Sequence, residues 1–270
     1  MSRSIEWKSD FVTNNGNKFH YYRTGGDKPP VLLLHGVMDN GLCWTPLGRV
    51  LASDYDVILP DARGHGLTHI SDETWTYEAM ADDVALLIKD LNVDKIQLVG
   101  HSMGADTAAL VAAKYPDLIK KIVLEDPGFS MSEISSIKKS SFKLAMKLIL
   151  PRFLNSTYEE LLKKGHKQTP LWSDEDLKPW AESKIQFREK DPNLIFKMFK
   201  NEYKWEEIIK KISCPILLIT ADKGLTSDKL AQKVMDVSKA GKWVKIEGAS
   251  HSIRREQFKQ YVQNIKEFLG

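Results

Sequence analysis

KIQLVGHSMGADTAALVAAKYP, residues 95–116, decides how this chain folds. It opens as a short apolar run, which reads as a strand covered on both faces. From Met103 it turns alanine-rich and stops at Pro116, which reads as a helix with a proline at its end. Between the two lies Gly100-His101-Ser102-Met103-Gly104, a G-x-S-x-G sequence in the strand–turn–helix setting that this motif requires. Such a turn is sharp and holds its serine in strained backbone, while the glycines leave room for neighbouring chain. The hydroxyl then stands at a helix N-terminus, where partial positive charge favours an oxyanion. The plainer reading is a helix N-cap serine, but the setting favours Ser102 as a nucleophile.

Strands and helices alternate on both sides of this stretch. Residues 11–25, FVTNNGNKFHYYRTG, read as a hairpin around Asn-Asn-Gly-Asn, a turn that tolerates positive φ. VLLLHG (31–36), DVILPD (56–61) and KIVLEDPG (121–128) are buried strands. CWTPLGRVLA and TYEAMADDVALLIKDL (76–91) are helices, the second with acidic residues towards its start, which suits the helix dipole. CPILLITAD, the helical KLAQKVMDVSKAG, the strand KWVKIEG (242–248) and the helix REQFKQYVQNIKEFL close the chain. This alternation predicts an α/β fold, a mostly parallel doubly wound sheet.

One segment breaks the rhythm. Residues 128–210 are helical in pattern, rich in Lys and Glu, and carry aromatics that include Trp172, Trp180 and Phe187. The spacing of Phe142, Met146 and Ile149 gives one apolar stripe. The expected division is a core of 1–127 and 211–270, with a helical cap at 128–210 inserted after the strand ending at Glu125. A small subdomain with its own core is the plain reading. A lid is favoured, because the insertion leaves the sheet at the carboxyl ends of its strands, where wound sheets carry their sites.

Bulk properties exclude several classes. A chain of 270 residues with 42% hydrophobic and 28% charged residues is an ordinary globular one with room for a sizeable core. The net charge of +3 is too balanced for a nucleic-acid binder. Cys43 and Cys214 have no metal-like spacing and read as free thiols. The N-terminus has no apolar signal core and no run of about 20 apolar residues occurs, so a cytoplasmic protein without a membrane span is expected.

HGVMDNGLCW, DARGHG, GHSMGA and GASH, in that order and spacing, resemble the α/β-hydrolase fold over nearly the whole chain. The resemblance implies two backbone donors for an oxyanion, from Met103 after the serine and from Val37 after His35-Gly36. It gives His35 a role in holding that loop and makes His65 structural. His251, between a late strand and the last helix, takes the place of the general base. His101 is expected to pack beside the serine, and His20, His69 and His166 have no supporting context.

The acid stays open. Chain order in the family is serine, acid, histidine. The usual loop reads Gly-x-x-Asp after a strand such as LLIT. Aligned here, Ala221 takes the glycine position and Gly224 the acid position. Some relatives place the acid after the preceding strand instead, which matches Asp126. Asp126 is preferred, Asp222 is the fallback, and Glu125 and Asp228 remain; a turn residue and a helix N-cap are the plain readings of Asp126 and Asp228.

These residues imply acyl-enzyme hydrolysis of a small-to-medium carboxylic ester or thioester, with a small-molecule acyl substrate and no cofactor or metal. Dehalogenase and epoxide-hydrolase relatives use an aspartate nucleophile, which Ser102 argues against. A carbon–carbon-bond hydrolase, an acyltransferase and a ligand sensor with weak turnover stay open.

Overall fold

A computed structural model describes residues 6–71, 74–93, 95–130, 144, 147–148, 150–151, 153–190, 196 and 204–270. In chain order come β1 (Lys8–Asn14), β2 (Asn17–Arg23), β3 (Pro30–Leu34), α1 (Thr45–Leu51), β4 (Asp56–Pro60), α2 (Tyr77–Asp90), β5 (Ile96–His101), α3 (Met103–Lys114) and β6 (Ile119–Glu125). Then follow α4 (Tyr158–Gln168), α5 (Asp174–Arg188), α6 (Trp205–Lys211), β7 (Ile216–Lys223), α7 (Asp228–Val237), β8 (Gly241–Ser250), α8 (Ile253–Glu256) and α9 (Phe258–Leu269).

The eight strands form one sheet in the order β1-β2-β4-β3-β5-β6-β7-β8. From β4 onward all pairs are parallel, and β1 and β2 are antiparallel additions at one edge. The mostly parallel doubly wound sheet expected from the sequence is therefore the fold. The hairpin turn uses Asn15 at φ 48° and Gly16 at φ 80°, the left-handed pair that matches strand twist.

The apolar runs are continuous because both faces of the sheet are covered. Leu32, Leu34, Leu98 and Ile122 face one core with α2, α3 and α7, whereas Val31, Leu33, Val99 and Val123 face a second with α1 and α9. Burying one such side chain contributes about 1.5–3 kcal/mol. Thr76 caps α2 by accepting the Ala79 N–H at 3.1 Å, and capping boxes start α4 (Thr157, Glu160) and α5 (Ser173, Asp176).

The segment between β6 and β7 divides between two neighbourhoods. Phe187, Leu150, Leu154 and Phe196 pack with Met38, Trp75, Met80 and Met103 at the carboxyl ends of the strands. Trp205 and Ile209 of α6 instead join the main core, with Trp205 stacked on Phe129 at 5.7 Å. The stripe of Phe142, Met146 and Ile149 lies outside the described residues. Cys43 and Cys214 are free, and burial raises both thiols to about 11. Among the described residues no helix is long and apolar enough to cross a membrane.

Candidate active site

Ser102 leaves β5 and precedes α3 with φ 52° and ψ −119°. Such a conformation costs about 1–3 kcal/mol and persists only where the surroundings impose it. Here the Ser102 N–H extends the sheet ladder to the Glu125 carbonyl at 3.0 Å. The flanking glycines are sterically required. A Cβ on Gly100 would lie 2.2 Å from the Gly104 carbonyl oxygen, and one on Gly104 would lie 2.1 Å from that of Leu34. Ser102 is 8% exposed and lines a cavity of about 270 Å³ together with Val37, His101, His251, Trp172 and Arg255.

Two backbone donors flank the serine. Among the described residues, the N–H groups of Val37 and Met103 meet no acceptor, as is usual in the first turn of a helix for Met103. Two buried histidines fix the Val37 loop. His35 donates from Nδ1 to the Gly36 carbonyl at 2.8 Å and accepts the Ala62 N–H at Nε2. His65 accepts the Met38 N–H at Nε2 at 3.0 Å, and burial lowers its pKa to about 3, so it stays neutral. His101 donates from Nε2 to the His251 carbonyl at 2.9 Å. Its pKa is held well below the usual range by burial and the Arg254 charge.

Asp126 follows β6 at φ 41°, a second strained residue on the same rim as Ser102. Its carboxylate is fully buried, and Oδ2 lies 2.6 Å from His251 Nδ1. A carboxylate only accepts, so Nδ1 carries the proton and Nε2 is left as the acceptor. The loop after β7 secures the acid: Leu225 N–H donates to Oδ2 at 2.7 Å and Thr226 N–H to Oδ1 at 2.9 Å. A Cβ on Gly224 would lie 2.7 Å from both carboxylate oxygens. The glycine in the family's acid position thus makes the space that Asp126 fills.

The other acids lie elsewhere. Asp222 is exposed and accepts the Gly248 N–H at 3.1 Å. Glu125 is buried and accepts from Arg254 N at 3.0 Å and Nη1 at 3.2 Å; burial raises its pKa. Asp228 is the first residue of α7 and pairs with Lys245, and the cap is Ser227 rather than Asp228. Asp106, four residues into α3, is buried, accepts from Tyr77 Oη and the Gly128 N–H, and is pushed up to about 8 by burial.

Two features escaped the sequence reading. Asp39, Lys184 and Arg255 meet in the wall of the cavity, with Lys184 Nζ at 2.7 Å and Arg255 Nη2 at 2.8 Å from the Asp39 carboxylate. Burial pushes Asp39 up, but the Arg255, Lys184 and Arg254 charges hold it well below the usual carboxylate range. Arg254-Arg255, three residues after His251, was the visible signal. His20, for which the sequence offered no context, lies 2.8 Å from both Ser9 Oγ and Asp61 Oδ2. Among the described residues no group of three or more His, Cys, Asp or Glu could hold a metal ion.

A profile of the alpha/beta hydrolase fold matches residues 29–253. The chain is 38% identical over 104 residues to the 2-(acetamidomethylene)succinate hydrolase of Mesorhizobium japonicum, a stretch of 38% of this chain and 37% of that protein. It is 25% identical over 291 residues to Epoxide hydrolase 1 of Caenorhabditis elegans, covering 98% of this chain and 70% of that one. Several curated relatives share only 35 to 37% of their own length with it. The solved structure of E-2-(acetamidomethylene)succinate hydrolase superposes with a TM-score of 0.78 at 20% identity, over 98% of this chain and 99% of that chain, a likeness in fold.

Proposed function

The chain belongs to the alpha/beta hydrolase fold family, and from that premise we propose a serine hydrolase that cleaves a small-to-medium carboxylic ester or thioester through an acyl-enzyme. In this reading Ser102 Oγ attacks the carbonyl carbon while His251 Nε2 takes its proton. Asp126 fixes the imidazole tautomer and stabilises the imidazolium. The Val37 and Met103 N–H groups hold the oxyanion. The Nε2 proton then passes to the leaving alcohol or thiol. Water, deprotonated by the same nitrogen, attacks the acyl carbon, releases the acid and restores Ser102.

The observation that carries this reading is the 2.6 Å contact of His251 Nδ1 with Asp126, in a cavity shared with a serine held at φ 52°. Residues 128–210 act as the cap in the same proposal. Supporting it, Phe153, Trp172, Trp180 and Lys184 line that cavity from this segment. An epoxide hydrolase reading is disfavoured, because a serine stands where that chemistry places an aspartate.

A fluorophosphonate label and turnover of p-nitrophenyl esters test the proposal. Labelling confined to Ser102, with many turnovers per enzyme, is expected. One acylation per chain followed by slow release contradicts it and points to a sensor.

A further inference from the structure

The cavity wall holds more positive than negative charge. Among the described residues Lys184, Arg254 and Arg255 are 3 to 5% exposed and form ion pairs with two carboxylates, Asp39 and Glu125, while Asp176 also acts on Arg255 through its charge. Both oxygens of Asp39 are taken, Oδ1 by Lys184 and Oδ2 by Arg255, with Arg254 Nη2 at 3.7 Å from Oδ2. Asp176 already accepts from Ser173 N–H and Oγ, and Asp126 is held by His251 and two backbone amides. A buried charge without a counter-ion is strongly unfavourable in a low dielectric.

Among the described residues Arg254 Nε and Nη2 and Arg255 Nε are all buried without a hydrogen-bond acceptor, and of the two residues Arg255 lines the cavity. Lys184 is satisfied by Asp39, the Met38 carbonyl at 2.8 Å and Ser183 Oγ at 3.3 Å. Among the described residues Arg255 has one side-chain hydrogen bond, from Nη2 to Asp39, and its buried Nε has no acceptor. Trp172 lies against the guanidinium at 4.3 Å, and its Nε1–H is also buried without an acceptor. Both residues line the cavity that contains Ser102 and His251.

We propose that Arg255, with the Trp172 indole N–H beside it, binds a carboxylate of the substrate, so that the ester cleaved at Ser102 is one that also bears a free carboxylate. The inference rests on the serine-hydrolase reading above. A planar guanidinium matches a carboxylate in geometry as well as charge, and Trp172 keeps its plane fixed. Asp39 and Lys184 act as positioning residues that hold the fork in the wall.

The carboxylate can sit on the acyl side or on the leaving alcohol, and two substrate pairs distinguish these. Monoethyl glutarate is compared with ethyl pentanoate, and 4-acetoxybutyrate with butyl acetate. In wild type, one acid should exceed its neutral partner in kcat/KM by about tenfold to a hundredfold, as for a charge-assisted hydrogen bond. Arg255→Gln should bring that ratio to about one, and Arg255→Lys, which keeps the charge beside Asp39 and loses the fork, should fall between. Independently of turnover, glutarate should raise the melting temperature of Ser102→Ala, and pentanamide should not. Equal or better use of both neutral esters, no shift with glutarate, or an Arg255→Gln ratio equal to that of wild type overturns the inference. Glutarate binding without ester turnover or labelling of Ser102 overturns the hydrolase reading instead.

Discussion

The two Ser–His–Asp arrangements of this molecule share the same acid end and differ at the serine. Asp61 accepts backbone N–H groups from Gly41 and Leu67 and touches His20 Nδ1 at 2.8 Å, with Gly66 so close that a Cβ there would lie 2.2 Å from it. Asp126 accepts from Leu225 and Thr226, touches His251 Nδ1 at 2.6 Å, and crowds Gly224. Two amides, one imidazole and one glycine hold each buried carboxylate. Ser9, however, stands in extended backbone on the exposed edge strand β1, whereas Ser102 is strained, opens a helix and lines a cavity beside two unpaired N–H groups. In the proposed reading, hydrogen-bond geometry alone does not make a catalytic site; the serine's backbone, the two N–H groups beside it and the cavity make the difference. The first arrangement is a brace between the hairpin and the turns at Gly41 and Leu67.

The widest separation is expected at the serines. Ser102→Ala should lower kcat by on the order of 10⁴ to 10⁶, while Ser9→Ala should stay within about twofold of wild type, since a surface hydroxyl outside the site has little effect. Ester hydrolysis rates check this, and comparable losses in both would erase the distinction.

The braces come next. Asp61→Asn weakens a buried acceptor shared by His20 and the Gly41 and Leu67 N–H groups and should destabilise the fold by about 1–3 kcal/mol in urea unfolding. A loss below about 1 kcal/mol would mean that this chain carries no structural load.

Gly224→Ala separates support from chemistry. The glycine's φ is not in the left-handed region, so alanine fits the backbone, but its methyl meets the Asp126 carboxylate. A shift of the acid by a fraction of an ångström should lower kcat by about 10- to 100-fold with a small change in stability. An unchanged kcat would show that Asp126 is not positioned by this loop.

The smallest effect concerns pH. Asp106 titrates at about 8 in the folded protein and near 3.9 when unfolded. Between these values the native state binds more protons, so the group's contribution to stability is full below about pH 4 and is lost as pH rises to about 8. Asp106→Asn stays neutral and should gain on wild type in melting temperature from about pH 5 to about pH 8. A difference constant with pH contradicts the assignment.

Much of the sheet was legible because alternate residues of each central strand face two covered sides, leaving apolar runs such as VLLL. Ser102 was legible because its motif is local: Gly100 is enforced by the Gly104 carbonyl within the motif, although Gly104 is enforced by the distant Leu34 carbonyl. The placement of His251 came from resemblance alone. The acid was half legible: Gly224 signalled a vacancy, but only the chain crossing from β6 to the loop after β7 brings Asp126 under it. Asp39, Lys184 and Arg255 were not legible, since their bonds span 145 and 216 residues. The same holds for Asp61, whose bond to His20 spans 41 residues with no motif to announce it.

The assignment of Asp126 is tested most directly by comparing kcat of Asp126→Asn and Asp222→Asn on one p-nitrophenyl ester. The account predicts a loss on the order of 10⁴ for Asp126→Asn and near-normal turnover for Asp222→Asn, whose exposed carboxylate accepts from the Gly248 amide. A near-dead Asp222→Asn beside a near-normal Asp126→Asn would contradict it.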